Sequence, residues 1–261
     1  MSFAGGEPES LVEISRKGAT ALILLNRPRV LNAINSQLLL SLRDALEDLA
    51  ADDDVRVVIL SGHGRGFSAG VDLNALKDQA VAAGAVGNVL DGPARQVTAL
   101  LAGMPKVTIA RVHGVCFTGA LELALACDIV VVAEDARLGD THARWGLRPT
   151  WGMSQRLIRT VGLTRARELS YTAREFTGTE AAQWQLAAQA VPPDDLDAVV
   201  AGIADKITAN SAGSIAAYKD LYRLALDVGL TEGLAHEATA TFDITDTEQR
   251  LTSFSQRSRA K

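Results

Sequence analysis

The chain has 261 residues, 48% hydrophobic and 22% charged, with a formal charge of −5; these are the proportions of a globular protein, not a disordered one. At this length a single domain buries about three quarters of its unfolded surface, so one large core is feasible. The acidic balance without a long Lys/Arg block argues against nucleic acid, and the most apolar stretch is interrupted by Glu122 and Asp128, which argues against a membrane span.

The opening residues MSFAGGEPES have neither a basic n-region nor an apolar h-region, so a cytoplasmic protein is expected. LVEIS (11 to 15) and ATALILL (19 to 25) read as paired strands around a Lys-Gly turn. SQLLLSLRDALEDLAAD (36 to 52) has the apolar spacing of an amphipathic helix opened by Ser36, and VRVVIL (55 to 60) is a strand. Residues 74 to 106 hold helix-like patches. VTIARV (107 to 112) then returns to strand, GALELALA follows as an apolar helix, and DIVVVA (128 to 133) is a buried strand. This rhythm implies an α/β core with crossover helices. From about Trp151 the pattern is helical throughout, with no Pro-, Gly- or Ser-rich linker, so the tail is expected to pack on the core or on a neighbouring subunit.

Three motifs compete around residue 66. GFSAG matches the G-x-S-x-G nucleophile elbow with Ser68, but SGHGR separates it from the strand that an elbow should follow. Gly64, Gly66 and Ala69 match the G-x-G-x-x-G/A dinucleotide fingerprint, but QAVAAGAVGNVLDG (79 to 92) makes a poor second strand. The third reading pairs the N–H that follows Gly70 with the N–H of Gly119, where the apolar helix begins; two such donors on one point would form an oxyanion hole aided by the helix dipole. Within that helix, Glu122 has only apolar or small neighbours and needs a structural or chemical reason, either acid–base chemistry or an ion pair with Arg111 or Arg144. Cys116 and Cys127 are too few for a disulfide framework or a Cys-based zinc site, and no metal is expected. His63, His113 and His236 read as ordinary turn, strand-end and helix-face residues.

NRPRVLNAIN (26 to 35), GRGFSAGVDL (64 to 73) and ARVHGVCFTGALELALACDIVVVAEDARLG (110 to 139) together resemble the enoyl-CoA hydratase/isomerase, or crotonase, family, and the likeness spans nearly the whole chain. The resemblance implies an α/β fold, a ClpP-like ββα superhelix over residues 1 to 195, with a helical oligomerisation region over 196 to 261 that supports homotrimers or hexamers. It implies an acyl-CoA thioester substrate, coenzyme A entering as part of that substrate and no other cofactor, and a setting such as fatty-acid β-oxidation. The oxyanion hole would be the N–H groups of Val71 and Gly119. Arg29, Val30, Ala69, Asp72, Leu73 and Asn74 stand where the family places its CoA contacts, and Glu122 matches the first of its two catalytic glutamates.

The pattern departs from the family at the second glutamate. LGDTHARWGLRPTWG stands where hydratases carry a segment resembling F-G-x-P-E and G-x-x-P-G. An ungapped count puts His142 in the glutamate position, with Asp140 two residues earlier and Thr150 in place of a glycine. An imidazole can act as acid or base near neutrality, so His142 is a candidate catalytic partner. The expected reaction is hydration of a trans-2-enoyl-CoA. Isomerisation, thioester hydrolysis and non-catalytic acyl-CoA binding are the alternatives.

Overall fold

A computed structural model describes residues 10–74, 76 and 83–259. Strands β1 (Val12–Lys17) and β2 (Thr20–Leu25) form an antiparallel hairpin in the register Val12↔Leu25 to Lys17↔Thr20, turned by Gly18 at φ 57°. Helix α1 (Ser36–Ala51) buries Leu38, Leu39, Leu42, Ala45, Leu46 and Leu49, an i, i+4, i+7 stripe in which each leucine contributes about 2 kcal/mol by leaving water. Its cap is Asn35, not Ser36: the Asn35 Oδ1 accepts from the Leu38 N–H at 2.9 Å, and Ser36 is the first helical residue.

After strand β3 (Val57–Gly62), the next helix among the described residues is α2 (Asn88–Gly103), whose first turn lies in the stretch that reads as a poor strand. Residues 75 and 77–82 of that stretch lie outside the described residues. Then come β4 (Val107–Val112), β5 (Val115–Phe117), α3 (Gly119–Ala126), β6 (Ile129–Ala133), β7 (Arg137–Gly139) and α4 (Met153–Thr172). Gly162, at φ 74° and ψ 163°, breaks α4 into two helical segments. The remainder is β8 (Phe176–Thr177), α5 (Gly178–Gln183), β9 (Gln189–Val191), α6 (Leu196–Ala209), α7 (Ala212–Ala225), α8 (Leu230–Thr239) and α9 (Thr247–Arg259).

The large sheet has the order β1-β2-β3-β4-β6-β9, with every neighbour from β2 onward parallel, and the small sheet has the order β5-β7-β8. The chain runs from large sheet to small sheet to helix twice over, as β4-β5-α3 and β6-β7-α4, which is a ββα spiral. Parallel strands covered on both faces read as unbroken apolar runs. All six residues of β3 are buried, and Ser61 among them donates its hydroxyl to the Arg111 carbonyl at 2.9 Å.

Helix α6 lies against β3, β4 and β6, so the helical C-terminal region begins on the core. Helix α7 is pinned there by Lys219, whose Nζ donates to Asp128 Oδ2 at 2.7 Å and to the Lys106 and Leu101 carbonyls at 2.9 and 3.3 Å. Lys219→Met should lower stability by about 1–2 kcal/mol, since it removes the charged partner of Asp128 and a donor to two carbonyls, while the Thr108 N–H and hydroxyl still reach Asp128 Oδ2. A denaturant midpoint unchanged from the parent would refute that anchoring role.

Candidate active site

The loop after β3 is held by one buried amide. Asn32, left-handed at φ 54°, points its Nδ2 at the carbonyls of His63, Gly66 and Phe67, and its Oδ1 accepts from the Arg27 N–H. Beyond this clamp Ser68 pairs in parallel with Cys116, the Ser68 N–H donating to the Val115 carbonyl at 3.0 Å and the Phe117 N–H to the Ser68 carbonyl at 3.3 Å. Val71 and Gly119 each follow this bridge by three residues, and Val71 lines one cavity with Thr118, the residue before Gly119. On the other side of Val71, Ile34 takes the Gly70 carbonyl and the Asp72 N–H. In a parallel bridge the groups alternate along the chain, so the N–H of Val71 itself faces away from Ile34.

Glycine is required at both approaches. Gly70 has φ 86°, and a Cβ there would lie 2.5 Å from the Phe117 carbonyl oxygen; a Cβ on Gly119 would lie 2.4 Å from the Trp151 ring. Gly119 opens α3, and its N-cap residue Thr118 (φ 52°) bonds Thr141 through its hydroxyl without capping the helix. The first amides of α3 therefore keep their capacity to bind a ligand oxygen. Ala69, Val71, Leu73, Phe117, Thr118 and Thr141 line a shared cavity of about 240 Å³. Arg29 and Val30 are exposed on a 3-10 turn, and the neighbouring Leu31 carbonyl receives the Ala69 N–H. Asp72 accepts from Arg27 at 3.0 Å and from the Asn74 N–H at 3.1 Å.

Glu122, one turn into α3, is 1% exposed. Its Oε1 accepts the main-chain N–H groups of Trp151 (3.0 Å) and Met153 (2.9 Å), so the carboxylate caps the positive end of α4. Its Oε2 faces His142 Nε2 at 3.6 Å. On the other side of the ring, His142 Nδ1 donates to Asp140 Oδ1 at 2.6 Å, and Asp140 Oδ2 accepts from Ser170 at 2.7 Å. The Asp140 bond fixes Nδ1 as protonated and aims Nε2 at Glu122.

Burial acts to lower the His142 pKa, but the flanking Asp140 and Glu122 carboxylates outweigh it and raise it to about 9. Asp140 lies below the usual carboxylate range: burial opposes this, while the His142 and Ser170 hydrogen bonds prevail. At neutral pH the centre is thus an imidazolium between carboxylates. Because His142 binds its proton more tightly folded than unfolded, the stability it adds is fully present below its ordinary pKa of 6.5 and is lost as pH rises through about 9. This amounts to about 3 kcal/mol. Denaturant midpoints between pH 6 and 10 should show the loss in the parent and not in His142→Gln.

Neither arginine expected beside Glu122 reaches it. Arg111 pairs with Asp197, and Arg144 donates to the Ala173 carbonyl at 2.7 Å. The elbow reading also fails, since Ser68 Oγ donates to the Asn32 carbonyl and accepts from the Gly70 N–H. The fingerprint reading fails because a parallel bridge at Val71 directly follows Gly64–Ala69 where the fingerprint needs a helix, and among the described residues the next helix begins only at Asn88. The main-chain donors of Trp151 and Met153, and the hydroxyl of Ser170, were not foreseen; no local sequence signal marks them.

The model of the enoyl-CoA hydratase/isomerase family matches residues 15–259. The chain belongs to that family. It is 35% identical over 224 residues to "Probable enoyl-CoA hydratase 1, peroxisomal" of Arabidopsis thaliana, a match covering 85% of this chain and 82% of that one. It is 34% identical over 237 residues to the 2,3-dehydroadipyl-CoA hydratase of Escherichia coli, covering 91% of each. Among solved structures, the enoyl-CoA hydratase of Bacillus anthracis superposes with a TM-score of 0.88 at 30% identity, covering 95% of this chain and 97% of that one. The spiral is therefore the crotonase fold. Within this family member, His142 occupies the place opposite Glu122.

Proposed function

We propose that this chain adds water across the double bond of a trans-2-enoyl-CoA. The observation that carries the reading is Glu122 Oε2 facing His142 Nε2 at 3.6 Å, one helical turn from the uncapped Gly119 amide. Glu122 takes a proton from water, and the hydroxide adds to Cβ. Electrons move from the double bond to the thioester oxygen, where the Val71 and Gly119 N–H groups stabilise the enolate, each by about 3 kcal/mol. The His142 imidazolium then protonates Cα. The proton gained by Glu122 passes to the neutral imidazole, and both groups regain their starting states.

Substrate would enter along Ala69, Leu73 and Asn74, with Arg29, Val30 and Asp72 at the CoA end. Exposed Tyr218, Tyr222, Leu230 and Leu234 on α7 and α8 suit a homotrimeric or hexameric assembly. Among the described residues no helix is long and apolar enough to cross a membrane. The test is direct: with a trans-2-enoyl-CoA, the absorbance of the conjugated thioester should disappear and chromatography should find a 3-hydroxyacyl-CoA. Free CoA or a shifted double bond as the product would replace the reading by hydrolysis or isomerisation. Binding without turnover would make the chain an acyl-CoA carrier.

A further inference from the structure

Asp91 lies on the first turn of α2, is 4% exposed, and does not cap its own helix. Its Oδ1 accepts from the Trp151 indole Nε1 at 2.9 Å and from the Thr150 hydroxyl at 2.6 Å, both on the loop that enters α4. A buried carboxylate with such partners has one of two explanations: it staples α2 to this loop, or it sets the loop's position for the chemistry. Trp151 decides between them. Its main-chain N–H holds Glu122 Oε1, and its ring packs against Gly119 so closely that a Cβ there would lie 2.4 Å from Cζ3. One residue thus touches both the carboxylate and the start of α3, and its far end is tied to Asp91. Arg156 adds a second brace, donating to the Trp151 carbonyl at 2.9 Å.

We propose that Asp91 is a positioning residue that, by holding the Trp151 indole, sets Glu122 and the Gly119 amide in register with each other. The proposal rests on the hydratase reading for its kinetic test but not for its spectroscopic one. If Asp91 no longer holds Thr150 and the indole, the loop that carries them loses its tether, and the Trp151 N–H and the ring's contact with Gly119 shift with it. Displacements of about 1 Å at such a centre cost up to about 100-fold in rate without abolishing binding. Asp91→Asn keeps an oxygen acceptor for both donors and should stay within about threefold of the parent. Asp91→Leu has similar bulk but no acceptor.

The experiment measures kcat and KM separately for Asp91→Leu, Asp91→Asn, Trp151→Phe and the Leu/Phe double variant. Asp91→Leu should lose about 10- to 100-fold in kcat, with KM changed less than about threefold. Trp151→Phe should lose a similar factor, and the double variant should be no worse than either single change, because both break one linkage. Additive losses, an unchanged kcat in Asp91→Leu, or an Asn variant as impaired as Leu would overturn the proposal.

A second arm uses Trp145→Phe and Trp184→Phe together, which leaves Trp151 as the only indole. Adding Asp91→Leu should lower fluorescence anisotropy and red-shift the emission, and Asp91→Asn should not. This arm reads ring position whether or not the enzyme hydrates enoyl-CoA, so failure of the reaction assignment and failure of the positioning role give different results. An indole signal indifferent to Asp91→Leu would refute the linkage by itself.

Discussion

Glu122→Gln should leave a folded protein that binds acyl-CoA and has lost about two to four orders of magnitude in kcat, the range for removing a general base. The fold should survive because the glutamine Oε1 still accepts the Trp151 and Met153 N–H groups that Glu122 Oε1 now takes. What disappears is the oxygen that faces His142 and that, in the proposed mechanism, receives the proton of water. KM should change little, since in the proposed mechanism the thioester oxygen is held by main-chain amides that the substitution does not touch. Stopped-flow absorbance of an enoyl thioester with calorimetric binding of the same ligand separates the two quantities. Turnover within tenfold of the parent would remove Glu122 from the mechanism.

The other large effect is on the pH profile. If the His142 imidazolium delivers the proton to Cα, kcat should hold through neutrality and fall as pH rises through about 9, where that proton is lost. Asp140→Asn tests the cause. Asparagine can still accept from Nδ1 and keep the ring oriented, but the charge that opposes deprotonation is gone. The alkaline limb should therefore move toward the ordinary histidine pKa of 6.5. His142→Gln should abolish the limb and lower kcat by about 100-fold or more. A profile in which Asp140→Asn leaves the limb in place would mean that another group sets it.

Much of the architecture was legible because burial writes period into the chain. The mostly apolar, β-branched runs at 57–62 and 107–112 are central parallel strands, and the leucine stripe of α1 is buried. Glu122 was legible for the converse reason: a carboxylate on a helix without a polar face demands a partner. Asp91, in NVLDG, carries the same signal at lower contrast, since an acidic residue in a helix's first turn has an ordinary dipole explanation. The true N-cap of α1 was misplaced by one residue, because Asn35 and Ser36 are both good caps and only backbone angles tell them apart.

The residues alone thus determined the α/β alternation and the isolated acid of α3, since one follows from the period that burial imposes and the other from the cost of burying charge, and they marked the glycines at 70 and 119. Which groups meet that acid was decided only by tertiary structure. His142 and Asp140 arrive on one turn, Ser170 and the Met153 amide on α4, and Trp151 on the loop between, under the hold of a carboxylate from α2. Their separations along the chain carry no period, because they are fixed by how the layers of the spiral stack, and stacking is a property of the whole core.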